Sequence, residues 1–317
     1  MKKLLVLFII LGKVVLSQPV PSIDEKFTYL TTFSKSADKK YGDDDFVQIT
    51  FFAIPETNKT PIYIRVYDPN IGGKLDEVKS EFDSKTKFSI YGGKGAHSNK
   101  DAQAFDPKGN YKSGVLIDSK TFDGDLEYDG KWYTFGPINP SDGELQPENG
   151  GYVLKFVIEG LSGDDGNLYK MFLSKSKDDN VPVEGGNSFC YEYCFRLPET
   201  PGFTSHIYPF VSTNVIAVKI NVFDYDNEGI IRTVTIAKKG EMKTSPTEGT
   251  WSTTELIVVK EEINTSIDVQ FIRKKEVKNN NVSVYITNQY NEAIPFYTIP
   301  IGGVPKYKYK IDISKTK

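Results

Sequence analysis

The feature that most constrains this chain is a two-residue alternation of apolar side chains. Segments such as "PIYIRVYD", "GYVLKFVIEG" and "VIAVKINVFDYD" carry it and are bounded by Gly, Asn, Asp and Pro. This period is typical of a strand with one buried face, and the bounding residues are those of tight turns. After the first 17 residues, no segment keeps the apolar spacing of an amphipathic helix for even 11 residues. We therefore predict an all-β protein with almost no helix.

The order of these segments predicts a division into domains. Residues 18–44 are polar and suggest a loosely packed arm, and strand-like segments then fill residues 45–197. The stretch "PETPG" at 198–202 is rich in proline and suggests a linker, and further strand-like segments fill 203–317. We expect two antiparallel β-sandwich domains in tandem, immunoglobulin-like or jelly-roll-like. The lysine-bearing alternation "KYKYKIDI" at 306–313 suits an edge strand of the second domain.

The N-terminus suggests export. Two lysines precede an apolar run from Leu4 to Leu11, and small residues lie before Gln18. This pattern predicts a signal peptide over residues 1–17 with cleavage before Gln18. Lys13 interrupts the apolar run well short of the roughly 20 residues that a bilayer requires, so we expect no transmembrane span.

The charge of the expected mature chain argues against two classes of partner. Loss of Lys2, Lys3 and Lys13 reduces the 39 basic residues to 36, against 42 acidic residues, for a net charge of −6. Nucleic acids and anionic membranes both select basic surfaces. We expect neither as a partner.

The cysteines and histidines offer little chemistry. Cys190 and Cys194 lie in "FCYEYCFRL", where an extended strand would separate them by roughly 13 Å, too far for a disulfide, so we expect free thiols. His97 and His206 fall in different predicted domains, so a shared metal or a catalytic triad is not expected. The sequence contains no recognisable catalytic constellation.

Two similar stretches raise the question of calcium. "IYIRVYDPNIGG" at 62–73 has an echo in "VKINVFDYDNEG" at 218–229, and each is an alternating strand that runs into an Asp/Asn/Gly turn. Such turns supply the hard oxygen atoms that Ca²⁺ prefers, although ordinary β-turns select the same residues and are the simpler interpretation. The candidate ligands are Asp68, Asn70 and Asp76 in the first stretch, which is the better candidate, and Asp224, Asp226 and Asn227 in the second. The loop "GDDGN" at 163–167 has the same ambiguity.

A sugar-binding surface is a second hypothesis. "EYDGKWYTFGP" combines Tyr128, Asp129 and Trp132, residue types that stack on sugar rings and bond to their hydroxyl groups. Alternation sends Trp132 and its neighbour Tyr133 to opposite faces, so core packing competes with this interpretation. Carboxylates are abundant, but no pair suggests itself as the two acids of a glycosidase.

The run "DPKGNYKSGVLIDSKTF…YDGKWYTFGPINPSDGE…GGYVLKFVIEGLSGDDGNLYKMFLS", from Asp106 to Ser174, resembles a module of secreted and envelope proteins of Bacteroidota. The resemblance implies association with the type IX secretion and gliding apparatus or with polysaccharide uptake. In size and expected location the chain is also similar to the plug protein of the type IX translocon. The C-terminus lacks a type IX sorting motif, which favours the periplasm over the cell surface.

Together these observations predict an exported binding or scaffold protein of the bacterial cell envelope that is not an enzyme. Its expected partner is a protein of the envelope, and its expected cofactor is none, or Ca²⁺. The alternative is a carbohydrate-binding module or a glycan-active enzyme. An exposed strand edge or apolar patch would favour a protein partner, whereas exposed coplanar aromatic rings beside carboxylates would favour a glycan.

Overall fold

A computed structural model describes residues 19–225, 229–242 and 248–302. Within these ranges the chain forms 22 strands, all antiparallel to their partners, and five short 3₁₀ helices, with no α-helix. The all-β prediction is confirmed. The predicted strand at 306–313 lies outside the described residues.

The first eleven strands are β1 (Pro19–Val20), β2 (Leu30–Phe33), β3 (Val47–Pro55), β4 (Ile62–Tyr67), β5 (Lys85–Gly92), β6 (Val115–Phe122), β7 (Trp132–Ile138), β8 (Glu144–Gln146), β9 (Gly151–Ser162), β10 (Gly166–Ser174) and β11 (Asn187–Cys190). The others are β12 (Glu192–Arg196), β13 (Thr204–Ile207), β14 (Phe210–Val211), β15 (Ala217–Phe223), β16 (Gly229–Val234), β17 (Lys239–Met242), β18 (Trp251–Ile257), β19 (Thr265–Ser266), β20 (Asp268–Arg273), β21 (Asn281–Asn288) and β22 (Phe296–Tyr297). The 3₁₀ helices span Lys39–Tyr41, Lys100–Gln103, Pro140–Asp142, Pro147–Asn149 and Lys260–Glu262.

Most strands belong to three sheets. A nine-stranded sheet has the order β18-β15-β21-β12-β2-β10-β4-β7, with β1 added beside β10. A seven-stranded sheet has the order β22-β11-β3-β9-β5-β6, with β8 beside β9. A four-stranded sheet has the order β13-β20-β16-β17, and β14 pairs with β19.

The nine-stranded sheet forms one side of two sandwiches. Near β4 and β10, its inner face packs on the seven-stranded sheet, with Ile64 and Met171 in the same core as Phe88 and Phe156. Near β15 and β21, its inner residues share that core with the four-stranded sheet, for example through Phe271. Alternating apolar positions thus form the two predicted antiparallel sandwiches, which share one sheet and one continuous core.

The predicted linker does not divide this sheet. Glu192–Arg196, before residues 198–202, pairs over five residues with the strand β21, which comes after them. Beside the linker, Leu197 N–H donates to Asn280 O at 2.9 Å and Gly202 N–H to Arg273 O at 2.8 Å. Whether the halves unfold independently stays a prediction.

Residues 18–44 do not form the loosely packed arm that their polar sequence predicts. β2, within residues 18–44, lies in the middle of the nine-stranded sheet between β10 and β12, and Leu30 and Phe33 are fully buried. The two threonines between them are also buried, and Thr32 Oγ1 lies 2.9 Å from Tyr169 Oη. Because the Thr32 hydroxyl group has a partner inside the protein, a polar-looking segment can occupy a central strand.

The segment "SFCYEYCFRL" also differs from the prediction, because it forms two strands rather than one. β11 belongs to the seven-stranded sheet and β12 to the nine-stranded sheet, so the chain crosses between them near Tyr191. Phe189 therefore packs on the outer cluster of the seven-stranded sheet, whereas Phe195 packs in the shared core. Cys190 and Cys194 are free and buried, which confirms the expectation of free thiols.

The outer face of the seven-stranded sheet is covered by the loop between β5 and β6. Lys155, on β9, is fully buried beneath this loop. Its Nζ donates to the carbonyl oxygen atoms of Tyr111 and Ser113. Burial lowers the pKa of Lys155 to about 8. The lysine thus fastens the loop to the sheet.

Candidate functional site

The first of the two echoed stretches forms a corner at one edge of the nine-stranded sheet. Asp68 follows β4 with a left-handed φ of 59°. Its N–H donates to Lys131 O at 2.8 Å, and its Oδ1 accepts Gly130 N–H at 2.7 Å. These bonds lead into β7, where Trp132 lies opposite Tyr67 with ring centroids 5.4 Å apart.

The second stretch repeats this corner at the opposite edge. Asp224 follows β15 with the same φ of 59°, its N–H donates to Thr250 O at 3.2 Å, and its Oδ1 accepts Gly249 N–H at 2.8 Å. Trp251 then lies opposite Phe223, with centroids 5.2 Å apart. The echo is therefore a structural repeat in which an aspartate closes the turn before a tryptophan. The other two proposed ligands of the second loop, at 226 and 227, lie outside the described residues.

Asn70, a predicted calcium ligand, is engaged in bonds within the protein. Its Nδ2 donates to Asp123 O and to Asp125 Oδ1, both at 2.8 Å, and its Oδ1 accepts Tyr128 N–H at 2.8 Å. The side chain thus fixes the 123–131 loop against the 68–77 loop. These bonds are those of an ordinary turn, which is the simpler interpretation of the sequence.

Asp76, the third predicted ligand, lies in a group of carboxylates. It accepts Gly72 N–H at 2.8 Å and Leu168 N–H at 2.6 Å. Burial raises the pKa of Asp76 well above its usual range, and the charges of Asp68 and Asp129 add to this effect. Burial likewise raises the pKa of Asp68 to about 6. The first loop therefore concentrates negative charge.

Two buried oxygen atoms near this loop lack a hydrogen-bond donor in the part of the chain that the structure describes. They are Asp68 Oδ2 and Asn167 Oδ1, and both residues are fully buried. Asn167 Nδ2 donates to Pro69 O at 2.9 Å, which ties it to the same loop. Calcium at this loop stays a prediction, and Asn167, the last residue of the "GDDGN" motif, brings a further oxygen atom to it.

The structure does not bring the three predicted sugar contacts onto one surface. Trp132 lies on the outer face of the sheet, with the Arg65 guanidinium 5.1 Å from its ring centroid. Tyr128 packs edge-to-face on Phe122 and Tyr133, against the core. Asp129 lies instead with the carboxylates of the first loop.

A different surface gathers aromatic rings and carboxylates. It lies on the outer face of the nine-stranded sheet around β12, β21 and β18, and we call it the acidic–aromatic surface. Phe105 and Tyr285 stack with centroids 3.9 Å apart and planes 2° apart, and the Trp251 ring lies 4.7 Å from Tyr285. The members of this surface are Asp44, Asp45, Phe105, Asp106, Glu192, Trp251 and Tyr285.

Hydrogen bonds join the acids to one another and to Trp251. Trp251 Nε1–H donates to Asp44 Oδ2 at 2.8 Å, and Asp106 N–H donates to Glu192 Oε2 at 3.3 Å. Glu192 lies directly opposite Tyr285 in the sheet. These acids come from segments far apart in the chain, and only strand pairing assembles them.

Two carboxylates of this surface, Glu192 and Asp45, and the neighbouring Asp43 have raised pKa values. Burial raises the pKa of Glu192 to about 8, with smaller contributions from Asp44 and Asp43. Burial also raises the pKa of Asp43 to about 6 and that of Asp45 well above its usual range. Asp43 is buried and accepts N–H groups from Phe33 and Phe46. Such perturbation is common at functional sites.

The histidines contribute separately to the fold. His97 is buried, and its Nε2 lies 3.0 Å from Tyr191 Oη. His206 Nδ1 lies 2.8 Å from Asp268 Oδ1. Each thus contacts a different part of the structure.

No protein-family profile and no curated protein matches the chain. Among solved structures, the N-terminal CBM22-1–CBM22-2 tandem domain of Xyn10C from Paenibacillus barcinonensis aligns at 10% identity over 82% of this chain and 80% of that chain. The TM-score is 0.15, a likeness too low to carry any argument. In the described ranges no helix has the length and apolar character needed to cross a bilayer.

Proposed function

We propose that the protein is an exported, non-enzymatic binding or scaffold protein of the bacterial cell envelope, and that it binds a protein partner along β18. The observation that carries the proposal is the regularity of this edge strand. β18 pairs with β15 over seven consecutive residues without a register shift. Its sequence, WSTTELI, has one charged residue and neither lysine nor proline.

Edges of this kind are usually protected. The edge strand β7 contains Pro137, and its pairing with β4 is shifted; β6 carries Lys120, and its pairing with β5 is shifted. Proline, lysine and bulges discourage the addition of another strand. Because β18 has none of these features, it suits recognition by strand addition.

Apolar residues lie next to this edge. Ile216 is 62% exposed and Ile257 is 60% exposed. Val258 N–H donates to Ile216 O at 2.9 Å, so the two isoleucines belong to neighbouring strand ends. An exposed apolar pair beside a strand edge that no other described strand pairs with supports a protein partner.

The test compares affinity purification from native envelope fractions with three baits. They are the wild type, the double variant Ile216→Asp/Ile257→Asp, and the control Val115→Asp/Leu116→Asp, which places the same charges at the β6 edge. Val115 is 65% exposed and Leu116 is 50% exposed, so the control substitutes comparable side chains. We expect a protein that the wild type and the control retain and the first variant loses. Equal recovery by all three baits would reject the β18 edge.

A polysaccharide ligand is a second candidate, supported by the acidic–aromatic surface. The stacked rings of Phe105 and Tyr285 lie beside Trp251 and Glu192, and carboxylates next to aromatic rings suit sugar hydroxyl groups and ring faces. Calorimetric titration with a panel of soluble polysaccharides should show binding that Trp251→Ala abolishes. Tyr290→Ala is the control, because Tyr290 is 70% exposed and lies outside this surface. No heat with any glycan, or equal binding by both variants, would remove this candidate.

A further inference from the structure

Three aspartates meet where the segment before β5 contacts the turn between β9 and β10. They are Asp83, which is exposed, Asp164, which is half-buried, and Asp165, which is fully buried. One carboxylate oxygen atom of each lies within 4.8 Å of those of the other two. A Ca²⁺ ion binds oxygen at about 2.3 to 2.6 Å, so ligands on opposite sides of the ion lie up to about 5 Å apart. One ion can therefore reach all three.

An independent observation comes from the buried member. Asp165 Oδ1 accepts Lys79 N–H at 2.6 Å, whereas Asp165 Oδ2 is buried without a hydrogen-bond donor among the described residues. A buried carboxylate oxygen with no partner is costly, and such groups usually bind a donor or a cation. The remaining oxygen of Asp165 is thus available to a cation.

The backbone holds this arrangement in place. Asp165 N–H donates to Ser84 Oγ at 2.9 Å, and Ser36 N–H donates to Gly163 O at 2.9 Å. Gly163 has a φ of 82°, and a Cβ there would lie 2.4 Å from Asp83 Oδ1. Only glycine allows Asp83 to approach the turn this closely.

The surroundings of the three aspartates contain further side-chain oxygen atoms. The site borders a cleft of about 390 Å³ whose lining includes Asp83, Asp164, Glu81, Ser36 and Ser80. In the described ranges, no lysine, arginine or histidine forms an ion pair with any of the three aspartates. An all-oxygen set without histidine or cysteine suits a hard divalent cation rather than zinc or copper.

We propose that Asp83, Asp164 and Asp165 bind one calcium ion at this turn, with Glu81 and water available to complete its coordination. The site is distinct from the candidate loop at Asp68 and Asp76. The ion would join the segment before β5 to the β9–β10 hairpin and so stabilise the folded state.

The experiment uses the full mature chain after removal of divalent ions with EDTA. Isothermal titration with CaCl₂ gives the number of ions bound, and thermal unfolding from micromolar to millimolar free calcium gives the stabilisation. Asp83→Asn and Asp164→Asn remove charge at accessible positions and leave the buried Asp165 intact. Asp178→Asn is an exposed control, and Asp68→Asn tests the other loop. Circular dichroism establishes that each variant is folded.

We expect the wild-type midpoint of thermal unfolding to rise by about 5 °C at a hundredfold excess of calcium over its Kd. Asp83→Asn and Asp164→Asn should each lower the affinity for this ion by at least tenfold and abolish the rise in the unfolding midpoint that it causes. Asp178→Asn should behave as the wild type, and Asp68→Asn should leave an ion at this turn. The proposal is overturned if the wild type binds no calcium, if Asp164→Asn binds as the wild type does, or if Asp68→Asn alone removes all binding.

Discussion

Replacement of Phe195 by alanine should destabilise both sandwiches at once. Phe195 is fully buried on β12, in the middle of the shared sheet, and lies opposite Leu30 and Val282 on the flanking strands. It stacks on Phe27 at 4.2 Å and makes an edge-to-face contact with Phe271 of the four-stranded sheet at 5.5 Å. Its removal therefore leaves a cavity that adjoins both sandwiches.

The expected loss can be estimated from these contacts. Truncation of a buried phenylalanine to alanine costs about 3 to 5 kcal/mol, and each aromatic pair contributes about 0.5 to 1.5 kcal/mol beyond its buried area. Two such pairs place Phe195→Ala near 5 kcal/mol. With a urea dependence of about 3 kcal/mol/M, the unfolding midpoint should fall by roughly 1.5 M.

The two tryptophans allow each half to be followed separately. Trp132 lies at one edge of the nine-stranded sheet and Trp251 at the other. Trp251→Phe and Trp132→Phe backgrounds each leave one fluorescent reporter for urea unfolding. In both backgrounds we expect one cooperative transition, with coincident midpoints that Phe195→Ala lowers by the same amount.

A control variant tests the same idea from the first sandwich alone. Phe88 is fully buried and packs on Phe122, Phe156 and Tyr169, all within residues 45–197. If the halves form one cooperative unit, Phe88→Ala should also lower the midpoint reported by Trp251. Separate midpoints, or a shift seen only by Trp132, would refute this reasoning and restore two independent domains.

Three further predictions concern buried polar groups. Because burial raises the pKa of Glu192 in the folded state from 4.5 to about 8, the folded state binds the proton more tightly, and the free energy of unfolding should fall as pH rises between these values. Urea titrations across this pH range should show a smaller fall for Glu192→Gln than for the wild type. The same pH profile in both proteins would contradict the assignment. Lys155→Met removes a buried donor from the carbonyls of Tyr111 and Ser113 and should cost about 2 to 3 kcal/mol in urea unfolding, whereas a change below about 0.5 kcal/mol would contradict the fastening role. Cys190 and Cys194 should resist maleimide in the native protein and both react after denaturation without reductant, as measured by intact mass; protection in the denatured chain would indicate a disulfide.

Local patterns in the sequence predict much of this fold. Alternation identifies the core strands, and the echo at Asp68 and Asp224 predicts strands that end in turns, which both residues form with the same left-handed φ. The sequence also carries a signal for the tryptophan beside each corner, because the similar motifs "DGKW" and "EGTW" lead into β7 and β18, the strands that pair with β4 and β15.

Other features depend on distant contacts and have no local signal. β2 contains two threonines whose burial depends on partners such as Tyr169, more than 130 positions away. The acidic–aromatic surface exists only because β12 pairs with β21, which brings Glu192 opposite Tyr285. The cluster at Asp83 likewise requires contact with the turn at Asp164. The "GDDGN" motif indicates one half of that cluster and cannot identify the other.

The central position of β2 governs how a chain emerging from its N-terminus can fold. The partners of β2 are β10 and β12, so Leu30 has no neighbouring strand until residues near 169 and 195 have appeared. Asn281, whose side chain bonds to Tyr41 O, arrives 240 positions after that residue. Such distant pairing is slow to form, because the entropy of closing long loops must be met before the contacts stabilise the chain. The nine-stranded sheet therefore cannot close around β2 until the residues near 195 have been synthesised.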